Sequence, residues 1–144
     1  MLAFWTVQGN RWPTYGEIDI VEGYTFGPEN PRYACNLIYG KGRNVLGTTC
    51  ERPYYVNEGW HVYDEYWANN NGDVSVTIVF DGDTIETYTN DANPKLKLEN
   101  FGPHTIMLNL NIGDNYGIFD KKQINVFDQT MMLVDYVTVD KRNL

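Results

Sequence analysis

Three acidic side chains lie within six residues of one another in the segment GEIDIVEGY, residues 16–24. They are Glu17, Asp19 and Glu22, and the residues between them are isoleucine and valine. Carboxylates resist burial and repel one another. A β-strand that gathers three of them is therefore either a solvated acidic face or a site whose chemistry needs the charges together. Neighbouring carboxyl groups with different protonation states can supply a nucleophile and a general acid.

The spacing of the three carboxylates predicts a β-bulge. Residues two apart in a strand share a face, so Glu17 and Asp19 point to the same side and the isoleucines point to the core. Glu22 is five positions from Glu17 and would face the opposite side unless one extra residue, at Ile20 or Val21, resets the alternation. The two glutamate Cα atoms would then lie roughly 13 Å apart. Side chains that lean together could close this gap to about the 5–5.5 Å of a retaining glycosidase pair.

The alternative is a solvated strand whose outer face happens to be acidic. Two features of the surrounding sequence favour the functional interpretation. Trp5, Trp12 and Tyr24 frame the strand, and aromatic rings suit both a sandwich core and stacking on sugar rings. Residues 12–27 also contain no Lys or Arg that could offset the like charges.

Composition narrows the classes of partner. The chain has 144 residues and a formal charge of −8, with 19 acidic and 11 basic residues, which argues against nucleic acid and anionic membranes as partners. A neutral polysaccharide is compatible with this charge. No apolar run approaches the roughly 18 residues of a membrane span, and the first ten residues lack the features of a signal peptide. Cys35 and Cys50 could form a disulfide or remain thiols, and with only His61 and His104 a zinc site has little support.

Strand-like runs separated by turn signals recur along the chain, and helical periodicity is nearly absent. The pattern predicts an all-β sandwich or barrel in a single domain, residues 1–144. The polar stretch ANNNGD at 68–73 and the Asp-Gly of residues 81–82 predict hairpin turns. The predicted strands are LAFWTV, EIDIVE, YACNLIYG, GWHVYDEYW, DVSVTIVFDG, DTIETYT, HTIMLNLNIG and MMLVDYVTVD.

The chain resembles glycoside hydrolase family 16, and within it the endo-β-1,3-glucanases (laminarinases). The active-site segment of that family is similar to AFWTV at 3–7, WP at 12–13 and GEIDIVEGY at 16–24. Further ordered similarities are WHVYDEYW at 60–67, VFDGD at 79–83, IMLNLNIGDNYG at 106–117 and LVDYVTV at 133–139. The resemblance implies a concanavalin A-like jelly-roll sandwich of two antiparallel sheets, with a glucan-binding cleft on the concave sheet. It also implies a secreted enzyme that needs no cofactor.

The resemblance assigns a role to each acidic residue. Glu17 would be the nucleophile, Glu22 the general acid and then the general base, and Asp19 would tune their protonation through hydrogen bonds. The bulged spacing is the laminarinase form, whereas lichenases have the unbulged one. Mixed-linkage β-1,3-1,4-glucan is nevertheless kept as a second substrate. The candidate substrate-binding residues are Trp5, Trp12, Tyr24 and Asn109.

Several of these residues have structural alternatives. Core packing is the alternative for Trp5, and a satisfied buried amide is the alternative for Asn109. His61 is interpreted as a structural hydrogen-bonding residue. Asp135 matches a calcium ligand of some family members, but its co-ligands would lie in the absent N-terminal region, so no metal is predicted.

The chain departs from the family at its start, because several strands normally precede the AFW segment. An N-terminally truncated sandwich would leave open sheet edges, which favours a homodimer that covers them. Two alternatives to an active enzyme follow: a glucan-binding sandwich with little or no turnover, and a fragment that is active only when its missing strands are supplied. Asn36, which stands where many relatives carry a histidine, and Tyr66, which replaces the usual glutamate, place the sugar subsites in question more than the chemistry.

Overall fold

The computed structural model describes residues 2–25, 31–50, 59–111 and 131–141, with the backbone alone at 24–25, 31–32 and 48–50. These residues form eight β-strands and three short 3₁₀ turns. The strands are β1 Leu2–Val7, β2 Glu17–Thr25, β3 Pro31–Tyr39, β4 Asn44–Cys50, β5 Tyr63–Asn70, β6 Asp73–Phe80, β7 Asp83–Thr89 and β8 Thr105–Leu110. The 3₁₀ turns are Gly9–Arg11, Asn90–Ala92 and Leu98–Asn100.

The strands form two antiparallel sheets. The larger sheet has the order β4-β3-β2-β1-β8, and the smaller sheet has the order β5-β6-β7. Every strand pair in both sheets is antiparallel. The predicted all-β class with two antiparallel sheets is confirmed. Among the described residues, no helix has the length and apolar character needed to span a bilayer.

Apolar side chains from the two sheets meet in a common core. Strand β6 shows the alternation expected of a half-buried strand, because its buried positions are every second residue from Val74 to Ile78. These side chains pack in one cluster with residues of the larger sheet and with Leu96 and Leu98 of the connection after β7. The members contributed by the larger sheet are Ile18, Ile20, Cys35, Leu37 and Tyr39.

The smaller sheet does not cover the larger one completely. The register places Ile106 and Leu108 of β8 opposite Thr6 and Phe4 of β1, on the face that turns towards the core. Ile106 is nevertheless 38% exposed and Leu108 39% exposed. An apolar strip along β8 therefore contacts solvent on the inner side of the larger sheet.

The strand predictions from sequence are mostly confirmed. Strands β1 and β7 have the predicted bounds, and both predicted hairpin turns form, with positive φ at Asn71, Gly72, Asp81 and Gly82. The prediction of a strand in residues 131–140 is wrong, because this segment has no strand and is mostly exposed. A strand needs a hydrogen-bonded neighbour, and the alternating apolar pattern of MMLVDYVTVD does not specify one. The stretch 112–130, which includes the end of the predicted LNLNIG strand, lies outside the described residues.

Candidate active site

The predicted β-bulge is present in β2. Across the β2–β3 ladder, Asp19 is opposite Asn36 and Glu22 is opposite Ala34. Three steps along β2 therefore match two steps along β3, and the ladder with β1 shows the same irregularity. The two residues of the bulge, 20–21, are fully buried. The extra residue is accommodated by turning two consecutive apolar side chains into the core.

The bulge places all three carboxylates on one face of the larger sheet. Directly opposed residues of antiparallel strands share a face. The β1 partners of Glu17, Asp19 and Glu22 are every second residue, in the order Val7, Trp5 and Ala3. This face is the outer one, because the alternate residues pack between the sheets. We refer to Glu17, Asp19 and Glu22 as the carboxylate triad.

The triad consists of a buried acid between two partly exposed ones. Asp19 is 6% exposed. Burial, together with the charges of Glu22 and Glu17, raises the pKa of Asp19 to about 8, although a hydrogen bond from Asn36 opposes the rise. Asp19 is therefore protonated at neutral pH and can donate a hydrogen bond to the Glu17 carboxylate. One shared proton thus reduces the repulsion among three acids.

Glu17 has an environment suited to an ionised carboxylate that remains reactive. Burial raises its pKa, and the charge of Glu22 adds to the rise. The Trp12 indole N–H, which donates to Glu17 Oε2, opposes the rise, as do the charge of Arg43 and the hydrogen bond from Asp19. Arg43 lies in the turn between β3 and β4, and its guanidinium carbon is 5.7 Å from the centroid of a Trp12 ring. Arg43 therefore supplies a positive charge near Glu17, which no residue of the segment 12–27 provides.

Asn36 links the other two members of the triad. Its Nδ2 donates to Glu22 Oε2, and its side chain also hydrogen-bonds to Asp19. The neighbouring strand leaves room for this amide, because Gly47 lies opposite Asn36 and a Cβ on it would be 2.3 Å from Asn36 Oδ1. Asn36, which stands where many members of the resembled family carry a histidine, is thus a direct hydrogen-bond partner of Glu22.

Two more predicted site residues lie on the same outer face. Trp5 is opposite Asp19, and Asn109 is opposite Ala3 in the ladder between β1 and β8. The Trp5 Nε1–H donates to Asn109 Oδ1 at 2.7 Å. Both side chains are partly exposed, and the Asn109 amide oxygen is satisfied by the Trp5 indole, so the sugar-binding roles of the two residues remain predictions. Trp12 is 44% exposed, which leaves its ring accessible to a ligand.

Of three other residues discussed from the sequence, one has no described side chain and the other two lie in other parts of the fold. The backbone of Tyr24 continues β2, and its side chain lies outside the described residues. His61 Nδ1 is 2.8 Å from Asp81 Oδ2 at the β6–β7 turn, which agrees with a structural role. Asp135 lies in the exposed segment 131–141, and the described residues contain no group of three or more acidic, histidine or cysteine side chains able to hold a metal.

The loop between β1 and β2 is anchored directly before Glu17. Gly16 has φ +90° and is buried, and a Cβ on it would lie 2.2 Å from the ring of Phe101. Its carbonyl accepts a hydrogen bond from Gln8 N at 3.3 Å, and the preceding Tyr15 carbonyl lies 3.0 Å from His104 Nε2. Neither Phe101 nor His104 was predicted as a site residue, because Phe101 lies in an irregular connection and His104 begins the run HTIMLNLNIG, where neither is near the triad in sequence.

Substituting Asp19 by asparagine should flatten part of the pH dependence of stability. The folded protein retains the Asp19 proton up to about pH 8, whereas the unfolded chain releases it near the ordinary value of 3.8. The wild-type free energy of unfolding should therefore fall as pH rises through this window, by more than the 1.4 kcal/mol or so that corresponds to one pKa unit. The asparagine amide keeps a donor for Glu17 and cannot ionise.

Urea denaturation of the wild-type protein and D19N across this pH range measures the difference. Asp83→Asn is the matched control, because Asp83 is exposed in the β6–β7 hairpin and the substitution makes the same exchange of a carboxyl group for an amide. Parallel curves for the wild-type protein and D19N would contradict a buried, protonated Asp19.

Comparison of the chain with protein-family models, with curated proteins and with solved structures found no match in any of the three. The functional assignment therefore rests on the residues of the outer face and on their arrangement.

Proposed function

We propose that the chain is a retaining endo-glycosidase that hydrolyses β-1,3-glucan of the laminarin type, with mixed-linkage β-1,3-1,4-glucan as a second substrate. The observation that carries the proposal is the bulge, which puts Glu17 and Glu22 on one face with a protonated Asp19 between them. A bulge beside a cluster of carboxylates re-aims a side chain at the cost of a regular ladder. A solvated strand whose outer face is merely acidic would not need a bulge.

The first step is a displacement at the anomeric carbon. Glu17 attacks this carbon while the Glu22 carboxyl donates its proton to the glycosidic oxygen. The bond from the anomeric carbon to the leaving sugar breaks, and an ester bond between the glycosyl unit and Glu17 forms. Asp19 lowers the charge that surrounds Glu17 before the attack, because it contributes a proton rather than a second carboxylate.

The second step reverses the geometry of the first. The Glu22 carboxylate removes a proton from water, the oxygen attacks the anomeric carbon, and Glu17 leaves as a carboxylate. Two inversions restore the β configuration. Asn36 donates to Glu22 in the structure and keeps this side chain oriented towards the face where sugar and water meet it. No cofactor is required.

Aromatic and amide side chains around the triad supply the sugar subsites. Trp12 offers an exposed ring beside Glu17, and aromatic rings stack on the apolar faces of glucose units. Trp5 on β1 and Asn109 on β8, joined by their own hydrogen bond, lie on the same face as the triad and extend the polar and aromatic surface. A neutral ligand suits this surface, since an ionised Glu17 would repel an anionic polymer.

The resemblance of the active-site segment to glycoside hydrolase family 16 supports the same proposal. The resemblance implies that the two antiparallel sheets belong to a jelly-roll sandwich, and it implies that the protein is secreted. The predicted homodimer remains a prediction. The exposed Ile106 and Leu108 on the inner face of β8 support it, because a second copy could cover this apolar strip.

Incubation with laminarin, followed by ¹H NMR of the anomeric protons, tests the proposal. We expect new reducing ends to appear first as the β anomer and to equilibrate later with the α anomer. Binding to insoluble β-1,3-glucan without release of reducing sugar would support the glucan-binding alternative and contradict the proposal. An α anomer as the first product would contradict double displacement.

A further inference from the structure

Polar side chains, of which Thr6 is buried and the others are partly exposed, form a continuous hydrogen-bonded chain between the two sheets, on the opposite side of β1 from the carboxylate triad. Thr6 of β1 is the central member. Its Oγ1 lies 3.3 Å from Oε2 of Glu65 in β5 and 3.0 Å from Nδ1 of His104. His104 Nε2 in turn lies 3.0 Å from the carbonyl oxygen of Tyr15. The Trp67 indole N–H donates to Oε1 of Glu65 and completes the environment of this carboxyl group.

The hydrogen bonds among Glu65, Thr6 and His104 can be arranged in two ways, which differ in where the protons lie. A carbonyl oxygen can only accept, so His104 Nε2 carries a proton and, in the neutral ring, Nδ1 is an acceptor. Thr6 has one hydroxyl proton, which it can give to His104 or to Glu65 but not to both. If Thr6 donates to His104, the contact between Thr6 and Glu65 is satisfied only when the Glu65 carboxyl is protonated and donates. An ionised Glu65 would draw the Thr6 proton away from His104.

The two protonation states needed for the continuous hydrogen-bonded chain coexist just below about pH 7. Burial raises the pKa of Glu65 to about 7, although the hydrogen bonds with Trp67 and Thr6 oppose the rise. Burial lowers the pKa of His104, so the ring is neutral. Within the described residues, the other titratable side chain on this face of β5 is Tyr63, and the β6 residue opposite Glu65 is the apolar Ile78.

His104, at the end of this series of hydrogen bonds, contacts the backbone directly before the proposed nucleophile. Tyr15 and Gly16 directly precede Glu17 at the start of β2. The rings of Phe101 and His104 stack with their centroids 5.7 Å apart and their planes 20° apart, and Phe101 also presses on Gly16. A change at His104 therefore acts on the Tyr15–Gly16 backbone through a hydrogen bond and through a ring contact.

We propose that Glu65, Thr6 and His104 form a positioning relay, which holds the Tyr15 carbonyl while the Glu65 carboxyl is protonated and loosens it when that proton is lost. None of the three touches the reacting atoms. They act by fixing the peptide that precedes Glu17. The predicted effect of the relay on turnover rests on the proposed function. The arrangement of its protons does not, because it is a property of the folded protein.

Glu65→Gln is the decisive variant. The glutamine amide can donate to Thr6 Oγ1 and accept from the Trp67 indole, so it reproduces the protonated carboxyl at every pH. In the wild-type protein, the ¹⁵N shift of His104 Nδ1 should change between about pH 6 and about pH 8 as the Thr6 hydrogen bond is lost. In E65Q this change should be absent. The chain has two histidines, so His61→Gln assigns the signals.

Two further variants separate the relay from a merely structural role. Thr6→Val, which removes the hydroxyl, should abolish the transition at His104, and Thr6→Ser should restore it. Asp64→Asn is the control, since it removes a neighbouring carboxylate from the other face of β5 and should leave the transition in place. A His104 transition that is equal in the wild-type protein and E65Q would overturn the relay.

Activity provides a second measurement. On laminarin, kcat of the wild-type protein should fall severalfold as pH rises through about 7, and E65Q should keep its kcat to higher pH, until Asp19 titrates. The two proposals fail separately. A wild-type protein without turnover would overturn the glycosidase while the His104 signal still decided the relay. An unchanged pH profile in E65Q with normal turnover would overturn the coupling to Glu17.

Discussion

Replacing Glu17 by glutamine should leave the fold intact and reduce laminarin hydrolysis by roughly 10³- to 10⁵-fold. Glutamine has nearly the same shape and can still accept the hydrogen bond from the Trp12 indole, so packing at the start of β2 is preserved. Its amide cannot form the ester with the sugar. The loss corresponds to about 4–7 kcal/mol of transition-state stabilisation, which is more than a disturbed subsite would remove. Initial rates of reducing-sugar release measure kcat/KM, and circular dichroism checks the fold.

Asp83→Asn is the matched control for this prediction, because it also converts one carboxylate to an amide but lies in the exposed β6–β7 hairpin. It should retain nearly full activity. Turnover of E17Q within about tenfold of the wild-type rate would show that Glu17 is not the nucleophile.

Azide distinguishes the roles of the two glutamates. With an aryl β-glucoside whose leaving group needs no protonation, azide should occupy the space left in Glu17→Ala and attack from the α side. The product would be an α-glycosyl azide. In Glu22→Ala, Glu17 still forms the glycosyl ester, and azide replaces it from the β side to give the β product. Identical products from the two variants would contradict the assignment.

The sequence predicts the position of the triad because the bulge has a local cause. An offset of five between Glu17 and Glu22 cannot put both on one face of a regular strand, and burial of two consecutive apolar side chains provides the compensating extra residue. Strands β1 and β7 were predictable for a related reason, since clear turn signals bound each run. Local pattern was sufficient for strands whose runs contain no internal turn signal.

A strand with an internal glycine, and contacts between distant segments, could not be predicted in this way. Strand β4 was missed because Gly47 interrupts NVLGTTC, and glycine within a strand reads as a turn. Because β4 was not predicted, two contacts that depend on it were not predicted either. They are the approach of Arg43 to Trp12 and the close packing of Asn36 on β4. Glu65 reads as an ordinary polar residue of β5, because its partner Thr6 is 59 residues away. The groups that tune the triad come from distant segments, whereas the triad itself is local.

Replacing Gly16 by alanine should destabilise the protein by about 3–5 kcal/mol, the largest effect on stability that we predict for an exchange of so few atoms. Two costs combine at this position. The backbone has φ +90°, which L-residues rarely adopt. The added Cβ would also lie 2.2, 2.3 and 2.6 Å from three atoms of the Phe101 ring. That ring has little freedom to move, because it stacks on His104 and meets the edge of Trp67. Urea denaturation measures the loss.

Gly42→Ala separates the two costs. Gly42 also has φ +90°, but no atom lies within 4 Å of the position that its Cβ would take. This variant should lose only the backbone cost, about 1–2 kcal/mol. A smaller ring partner should likewise reduce the effect at Gly16, so adding G16A to Phe101→Leu should cost little more than G42A. If G16A and G42A destabilise the protein equally, the Phe101 ring does not fix the peptide before Glu17, and the anchoring of this residue from the core between the two sheets is wrong.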